Sequence, residues 1–316
     1  MSHEAAQLKV EVVEVSRVGD VALIELAPYG GGELPAWRAG AHIDLRLPGD
    51  VVRQYSLCGP AGADRWRVGV LREVDGRGGS QWLVDHAEPG LVLGASQPRR
   101  HFAYEPSGAT TVFLAGGIGV TPIAAMAAEA KAAGADYSVA YSGRTRASMA
   151  LADELLEVHG ERVALYVGDE GTRADLDAIM VAAGSGAVAY ACGPAAYLDA
   201  AAAAASRHGV DLRVEHFTPV ELAQPARDEA FEVELAMTGV TVEVQPGTSI
   251  LQAVEEAGAL VLSSCTEGTC GTCETPVLEG EVDHRDSILT PDERARNDVM
   301  YVCVSRAACP RLVLDL

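Results

Sequence analysis

Residues 263–273 read Ser-Ser-Cys265-Thr-Glu-Gly268-Thr-Cys270-Gly271-Thr-Cys273, and a further cysteine follows at Cys303. Four residues separate the first two cysteines and two separate the next pair, which is the plant-type [2Fe–2S] spacing with a remote last ligand. The two glycines allow the loop to curl and bring backbone N–H groups close to the sulfurs. The spacing predicts a di-iron cluster bound by these four cysteines, with the fourth supplied by another strand.

Other cysteine chemistries fit the pattern less well. A disulfide framework is typical of secreted chains, whereas the rest of this chain is typical of an intracellular enzyme. A zinc site favours two Cys pairs, or a Cys pair and a His pair, at short spacing. Here the spacing is asymmetric, and His284 has no neighbouring histidine. Cys58, Cys192 and Cys309 are interpreted as free thiols.

The length, composition and net charge of the chain limit the number of domains and the kinds of partner that we expect. A chain of 316 residues, 48% of them hydrophobic, is long enough for two or three globular domains. Its net charge of −21 argues against nucleic acid as a partner. No apolar run is long enough to span a bilayer, and Met1–Gln7 has no apolar signal region. We therefore expect a cytoplasmic protein with no membrane partner.

The acidic charge is pronounced in the last third of the chain. From Phe231 onward there are 15 Asp and Glu against 5 Lys and Arg, a local net charge of −10. Such a surface improves solubility, and it would also steer a basic redox partner.

The N-terminal third alternates in short apolar runs between Leu8 and Leu47, separated by Gly and Pro. This pattern predicts a small antiparallel β-barrel, with His42 as a barrel residue and not a ligand. The strand Arg53-Gln-Tyr-Ser-Leu-Cys58 then offers an arginine, an aromatic ring and a hydroxyl, a group that could hold a flavin. The turn Gly76-Arg-Gly-Gly-Ser80 precedes a predicted helix and could cradle a phosphate.

A doubly wound α/β unit is predicted from Ser107 onward. The buried strand Thr111–Ala115 leads into Gly116-Gly-Ile-Gly-Val-Thr121-Pro122, which resembles a dinucleotide fingerprint without its third glycine. We expect Thr121 to cap the following helix, with Pro122 at its first position. Three more strands alternate with helices, including the alanine run 200–205, and the last strand ends in Cys192-Gly-Pro194.

An α+β ferredoxin-like unit is predicted at the C-terminus. Residues 219–228 have linker composition, and two strands from Phe231 to Val244 form a hairpin. A helix over 250–257 with Thr248 or Ser249 as its cap precedes the cysteine loop. Residues 301–304 and 312–316 are predicted to be strands.

With these motifs, the chain from Leu8 to Leu316 resembles the phthalate dioxygenase reductase family, which includes vanillate demethylase reductases. The motifs that carry the resemblance are Arg53-Gln-Tyr-Ser-Leu57, Gly76–Ser80, Pro98-Arg-Arg100, Ala115–Pro122, Cys192–Pro194, the cysteine loop and Val282-Asp-His-Arg-Asp286. The resemblance implies FMN, NADH and a [2Fe–2S] cluster in that order. The implied multidomain fold has an FMN-binding antiparallel β-barrel over 1–106, an NAD-binding α/β domain over 107–222, a linker over 223–230 and a ferredoxin domain over 231–316.

The resemblance also implies the residues of each site. FMN would contact Arg53, Gln54, Tyr55, Ser56, Leu57, Val70, Arg72, Gly78, Gly79 and Ser80. The nucleotide would contact Gly116, Gly117, Gly119, Thr121, Arg144, Cys192, Gly193 and Pro194. Ser56, Thr121 and Cys192 would lie nearest the reacting atoms, and Phe217 would cover the flavin. At this last point the sequence departs from the family, which commonly has a second aromatic shortly afterwards, where this chain has Thr218-Pro-Val220. Cys309 does not match a family ligand position.

Two function classes follow. The first is an electron-transfer enzyme that passes electrons from NADH through FMN to the cluster and on to an oxygenase, either Rieske-type or cytochrome P450. The second is a redox sensor, for which the sequence supplies no output domain. Arg144 follows the second strand of the α/β unit, where a basic residue can hold a 2′-phosphate and favour NADPH, while the family favours NADH.

Overall fold

A computed structural model of the chain describes residues 8–74, 76–218 and 224–316. The predictions made for Met1–Gln7 and for the first part of the linker, 219–223, lie outside the described residues. The chain divides into two compact units, Met1–Phe217 and Thr218–Leu316. Among the described helices, none has the length and apolar character needed to cross a membrane.

The first unit begins with an antiparallel sheet. Its elements are β1 (Leu8–Val18), β2 (Val21–Pro28), β3 (Ala41–Leu47), β4 (Val51–Ser56), β5 (Trp66–Leu71), helix α1 (Gly79–His86), β6 (Val92–Ala95) and β7 (Arg99–Arg100). The strand order is β4-β3-β6-β1-β2-β5, with β7 paired to β3. The predicted strands are confirmed. The end strands β4 and β5 meet only at a single bridge between Leu57 and Val68, so the described ladder is an open path and not a continuous barrel.

A five-stranded parallel sheet completes the first unit. Its elements are β8 (Thr111–Gly116), α2 (Val120–Ala132), β9 (Tyr137–Gly143), α3 (Ala152–His159), β10 (Val163–Val167), α4 (Leu176–Ala183), β11 (Val188–Cys192), α5 (Ala195–His208) and β12 (Asp211–Glu215). The order β10-β9-β8-β11-β12, parallel throughout, confirms the doubly wound α/β prediction. The direction of winding reverses between β8 and β11, where such sheets bind ligands.

Strand β8 is buried on both faces, as its unbroken apolar run predicts. Phe113 and Ala115 pack into the core that continues into the antiparallel sheet. Val112 and Leu114 pack on the opposite side, with Met180 of α4 and other residues beneath the outer helices. Both faces of the parallel sheet are therefore covered.

The prediction that Thr121 caps α2 is wrong. Residues Gly117–Gly119 form a 3₁₀ turn that runs directly into α2, so the helix begins at Val120 and its N-cap position is Gly119. The Thr121 hydroxyl instead donates a hydrogen bond back to the Ile118 carbonyl over 3.0 Å. Pro122 lies within the first turn, where its missing N–H has no intrahelical partner to lose.

The second unit has its own core around a five-stranded sheet. Its elements are β13 (Phe231–Leu235), β14 (Val240–Val244), α6 (Ile250–Glu256), β15 (Glu274–Glu279), β16 (Val282–Asp283), α7 (Pro291–Arg296), β17 (Val299–Tyr301), β18 (Arg306–Ala307) and β19 (Arg311–Leu314). The order is β14-β13-β19-β15-β17, and β16 pairs separately with β18. The hairpin prediction is confirmed, and Ser249 caps α6 by accepting the Gln252 N–H.

The predicted strand over 301–304 is only partly correct. Strand β17 ends at Tyr301, and Cys303 lies in the turn that follows. The Val304 and Ser305 N–H groups both donate to the Tyr301 carbonyl, which closes this turn. The fourth cysteine is therefore presented by a tight turn and not by a strand.

Substitution of Gly40 tests how closely the backbone before β3 packs against Phe102. Its φ is +84°, and a Cβ there would lie 1.6 Å from the Phe102 carbonyl oxygen. Gly49 has a similar φ of +76° with no atom within 4 Å of its Cβ position. We expect Gly49→Ala to cost about 1–2 kcal/mol for the left-handed backbone alone and Gly40→Ala to cost several times more, because the backbone must move. Thermal unfolding followed by circular dichroism measures both, and equal losses would contradict this account.

Candidate functional site

A cradle forms where β4 faces the start of α1. A Cβ on Gly79 would lie 2.5 Å from Nε of Arg53, so a side chain at position 79 would displace the guanidinium. The N-cap residue of α1, Gly78, has φ +79° and supplies no side-chain cap. Uncapped N–H groups beside a guanidinium form a site that suits a phosphate. Arg53 also donates to the carbonyl oxygens of Val52 and Arg77, which orients it.

Tyr55, also on β4, carries a polar group that lacks a protein partner. Its hydroxyl is buried and has no hydrogen-bond partner among the described residues. Burial raises the pKa of this hydroxyl well above its usual value. An unsatisfied buried hydroxyl is costly, so the site fits a ligand whose polar atom would complete the bond.

Several predicted FMN contacts are occupied by protein interactions. Arg72 forms a bidentate ion pair with Asp85 of α1, with two N···O distances of 3.1 Å. The Ser80 hydroxyl accepts the Glu73 N–H over 3.3 Å. Leu57 and Val70 are fully buried in the sheet core, and Gln54 pairs with Asp44 across β3 and β4. Arg72 therefore holds α1 against the end of β5.

Thr121 lies at the junction of the two sheets. A Cβ on Gly69, in β5, would lie 2.6 Å from the Thr121 methyl carbon. Thr121 is itself 1% exposed. The start of α2 therefore packs directly on a strand of the antiparallel sheet, one residue from Val70. Gly69 was not identified from the sequence, because a single glycine within a strand has no distinctive local signal.

The glycines after β8 pack against the turn after β11. A Cβ on Gly119 would lie 2.2 Å from the Cys192 carbonyl oxygen, and one on Gly193 would lie 3.0 Å from the Gly116 Cα. Gly116 also approaches Pro194, which precedes α5. Gly117 has φ +56° with no atom within 4 Å of its Cβ position. Close packing of two turns thus accounts for Gly116, Gly119 and Gly193, while Gly117 faces open space.

A polar cluster of Ser56, Cys192 and Glu215 joins β4 to the parallel sheet. Cys192 and Glu215 are paired in register on β11 and β12, and the thiol lies 3.9 Å from the carboxylate oxygen. The Ser56 hydroxyl lies close enough to Glu215 to lower the pKa of its carboxyl, although desolvation outweighs this effect. Desolvation raises the pKa of Glu215 to about 8, and it raises the pKa of the fully buried Cys192 thiol well above its usual value. Glu215 was missed from the sequence, since its partners are distant in the chain.

Two predicted residues lie on the surface. Arg144 follows the end of β9 and is exposed, and its side chain forms no ion pair with a described residue. The neighbouring Arg146 is paired with Asp153. Phe217 is 41% exposed at the end of the first unit.

In the second unit the four cysteine side chains lie next to one another. The Cys265 thiol interacts with those of Cys270 and Cys303, and the Cys303 thiol also interacts with that of Cys273. These interactions lower the pKa of Cys265 and Cys273 and raise that of Cys270 and Cys303. Four cysteine thiolates are the ligand set of a [2Fe–2S] cluster, so the chemistry of these side chains fits the predicted group.

Backbone groups shape the cysteine loop around the sulfurs. The Glu267 N–H donates to the Cys265 sulfur over 3.3 Å, and the Cys265 N–H donates to the Cys270 sulfur over 3.5 Å. Gly268 and Gly271 both have φ +72°, which the curl of the loop requires. N–H···S bonds of this kind tune iron–sulfur clusters, so the loop fits the predicted group.

The segment after β16 braces this loop. Asp286 is 2% exposed, and its carboxylate accepts the N–H groups of Ile288 and Leu289 over 3.0 and 2.8 Å. The next residue, Ser287, donates its N–H to the Gly268 carbonyl over 2.9 Å. Cys309 lies apart, with its thiol donating to the Arg311 carbonyl over 3.0 Å.

Comparison with known proteins identifies the family of the chain. A family model described as a 2Fe-2S iron-sulfur cluster binding domain matches residues 233–308. The phenoxybenzoate dioxygenase subunit beta of Ectopseudomonas oleovorans is 42% identical over 94% of this chain and 93% of its own length. The crystal structure of phthalate dioxygenase reductase is 31% identical, with a TM-score of 0.69 over 99% of both chains. The chain belongs to the phthalate dioxygenase reductase family.

This reductase is therefore an electron-transfer oxidoreductase whose cofactors are FMN, NADH and a [2Fe–2S] cluster. It also resembles an intact self-sufficient cytochrome P450 monooxygenase, at 43% identity with a TM-score of 0.91. That similarity covers 98% of this reductase and 41% of the P450 chain. The reductase thus spans less than half of that fused protein.

Glu215 of the reductase gives a pH-dependent prediction. Its folded pKa of about 8 exceeds the ordinary 4.5, so the folded state holds an extra proton between these values. The stability that this proton contributes is complete below pH 4.5 and is lost as the pH rises through 8. Glutamine cannot titrate, so we expect Glu215→Gln to gain stability relative to wild type between pH 5 and 8.5, by up to a few kcal/mol.

The measurement is the melting temperature of both proteins across this pH range. The matched control is Glu170→Gln, an exposed glutamate in the loop after β10, which should track wild type. A constant difference between Glu215→Gln and wild type at every pH would show that the carboxyl titrates normally.

Proposed function

We propose that this reductase is the electron-supplying component of a Rieske-type oxygenase system. The observation that carries the proposal is the grouping of four cysteine side chains in the second unit, with backbone N–H groups donating to the sulfurs of Cys265 and Cys270. When bound, FMN accepts a hydride from NADH and the cluster accepts electrons one at a time, so together they convert a two-electron donor into a one-electron supply.

The side chains of the first unit bind and position the reactants. Arg53 and the start of α1 would hold the FMN phosphate, and the Tyr55 hydroxyl would complete its hydrogen bond on the flavin. Thr121 would lie near both the flavin and the nicotinamide at the β5–α2 contact, with Ser56 and Cys192 alongside. Hydride transfer requires no proton from the protein, so we assign no general acid or base. Phe217 would shield the flavin until the nucleotide binds.

The predicted domain boundaries belong to the same proposal. We assign residues 1–106 to FMN, 107–222 to NADH, 223–230 to a linker and 231–316 to the cluster. The bridge between Leu57 and Val68 supports closure of the antiparallel sheet into a barrel around the flavin. The glycine turn after β8, with Gly193 and Pro194, would approach the pyrophosphate.

NADH is the proposed donor, in line with the family. Arg144 would contact the adenosine end of the nucleotide, because it follows the β-strand next to β8 and has no ion-pair partner among the described residues. Its role would be stacking or hydrogen bonding on the adenosine, and a 2′-phosphate would also suit it.

A cytochrome P450 is the second candidate acceptor. It is supported by the TM-score of 0.91 to the self-sufficient P450, which exceeds the 0.69 to phthalate dioxygenase reductase. The separate subunit from Ectopseudomonas oleovorans, matched over 93% of its own length, supports the dioxygenase. We favour the Rieske-type oxygenase because the match covers 93% of the dioxygenase subunit but only 41% of the P450 chain.

Anaerobic titration with NADH tests the proposed route. We expect the flavin absorbance to bleach and the cluster then to be reduced, with the electron paramagnetic resonance signal of a reduced [2Fe–2S] centre. Cys303→Ser should keep flavin reduction and lose the cluster signal, because one iron loses a thiolate. Cys309→Ser is the matched control and should behave as wild type. Flavin reduction in wild type with a cluster that stays oxidised would overturn the route.

Arg53→Gln tests the phosphate cradle. Loss of a charged hydrogen bond costs roughly 1.5–3 kcal/mol, so FMN should bind about 10–100 times more weakly. Riboflavin has no phosphate, so its affinity should be unchanged by the substitution. Arg72→Gln is the comparison, and it should alter FMN affinity less because Asp85 already engages Arg72. Fluorescence titration measures all three proteins, and equal losses for the two ligands would rule out a phosphate contact at Arg53.

A further inference from the structure

Two leucines beside the cysteine loop are unusually exposed. Leu260 is 82% exposed, more than any other large apolar side chain in the described ranges, and Leu262 is 62% exposed. Single exposed apolar residues are common on protein surfaces. Two such residues separated by one position, next to a redox centre, form a more specific feature. We name Leu260 and Leu262 the leucine pair.

Packing of the intervening residues keeps the leucine pair pointing outward. Ala259 and Val261 pack against the core of the second unit, so burial alternates along this segment. The Ala259 N–H also donates to the Val254 carbonyl over 2.9 Å, which ties the segment to the end of α6. Residues that alternate in this way project to opposite sides. The leucines therefore share one side of an anchored segment.

The leucine pair lies close to the least buried cysteine. Cys265 is partly exposed, whereas the other three cysteines of the series are buried. Leu262 precedes Cys265 by three residues, and an extended chain of that length spans at most about 11 Å. An electron leaving the cluster at its most accessible edge would therefore pass beside the leucine pair.

Acidic residues surround this segment in the sequence. Glu255 and Glu256 are exposed at the end of α6, and Glu267 lies in the cysteine loop. No Lys or Arg occurs from Phe231 to His284. An apolar centre with a charged surround is the usual composition of a protein interface. A complementary surface on the partner must therefore be apolar at its centre and basic at its rim.

We propose that the leucine pair is the apolar contact through which the second unit docks on its electron acceptor, a protein with an apolar patch ringed by Lys and Arg. This inference rests on the proposed function, since it assigns the exit surface for the same electrons. The acidic side chains attract the partner over distance, and the leucines stabilise the docked complex by leaving water.

The double variant Leu260→Gln/Leu262→Gln tests this surface, with cytochrome c as a basic one-electron acceptor. We expect KM for cytochrome c to rise at least tenfold, while anaerobic reduction of the cluster by NADH keeps its wild-type rate. Raising the salt concentration should increase KM by the same factor in variant and wild type, because the charges are unchanged. Met237→Gln is the matched control and should match wild type. Met237 is 74% exposed in the β13–β14 turn, and β14 is the sheet edge opposite β17.

Three other results of these measurements would refute either the docking surface or the proposed function. An unchanged KM in the double variant would refute the docking surface. A slowed reduction of its cluster by NADH would also refute it, because the leucines would then serve electron entry and not exit. Failure of NADH to reduce the cluster of the wild-type protein would instead refute the proposed function.

Discussion

Backbone contact between two turns is the constraint on which the first unit depends. The turns after β8 and β11 cross the same edge of the parallel sheet. They approach too closely for a side chain at Gly119, and they are in tight contact at Gly193. This packing fixes the start of α2 beside Cys192 and presses Thr121 onto Gly69 of β5. Thr121 and Cys192 are thus positioned by rigid backbone, which holds geometry better than flexible side chains.

Long-range side-chain contacts reinforce this junction. Arg67 of β5 forms a bidentate ion pair with Glu154 of α3, and it also donates to the Cys58 carbonyl. Two nitrogens of Arg38, in the loop before β3, donate to one carboxylate oxygen of Glu129 in α2, and the other oxygen accepts the Ala39 N–H. Both contacts join the antiparallel part of the first unit to a helix that packs on the parallel sheet. The relative orientation of the two sheets is therefore held at several points besides the glycine contacts.

Residues 263–273 of the cysteine loop form neither a helix nor a strand, so other contacts hold the conformation of the loop. Its order comes from N–H···S bonds, from Gly268 packed against Val304 and Asp286, and from the bond between Ser287 and Gly268. Metal binding and folding are coupled in such loops. The binding free energy of the cluster therefore contributes to the stability of the second unit, while the first unit relies on apolar packing.

Sequence-local features were predictable, and features that join distant segments were not. Cysteine spacing, the glycine turns, Ser249 as a cap and the alternation of parallel strands with helices all follow from short-range patterns. The start of α2 was misplaced at Thr121, because a 3₁₀ turn already continues the helical backbone before it. Glu215, Gly69 and the Arg72–Asp85 pair depend on which strands and helices become neighbours. That information lies in the packing of the whole unit and not in any local pattern.

Burial also decides how much charge the polar cluster between the two sheets carries. The chain carries a net charge of −21, yet at neutral pH the cluster of Ser56, Cys192 and Glu215 is largely uncharged, because burial raises the pKa of both the thiol and the carboxyl. Under the proposed function Ser56 and Cys192 would lie beside the reactants, where a fixed anion would oppose hydride transfer and neutral polar groups would not. The exposed carboxylates lie in solvent, where water and salt screen their effect on the buried cluster. Burial is thus what keeps this junction largely uncharged in a strongly acidic protein.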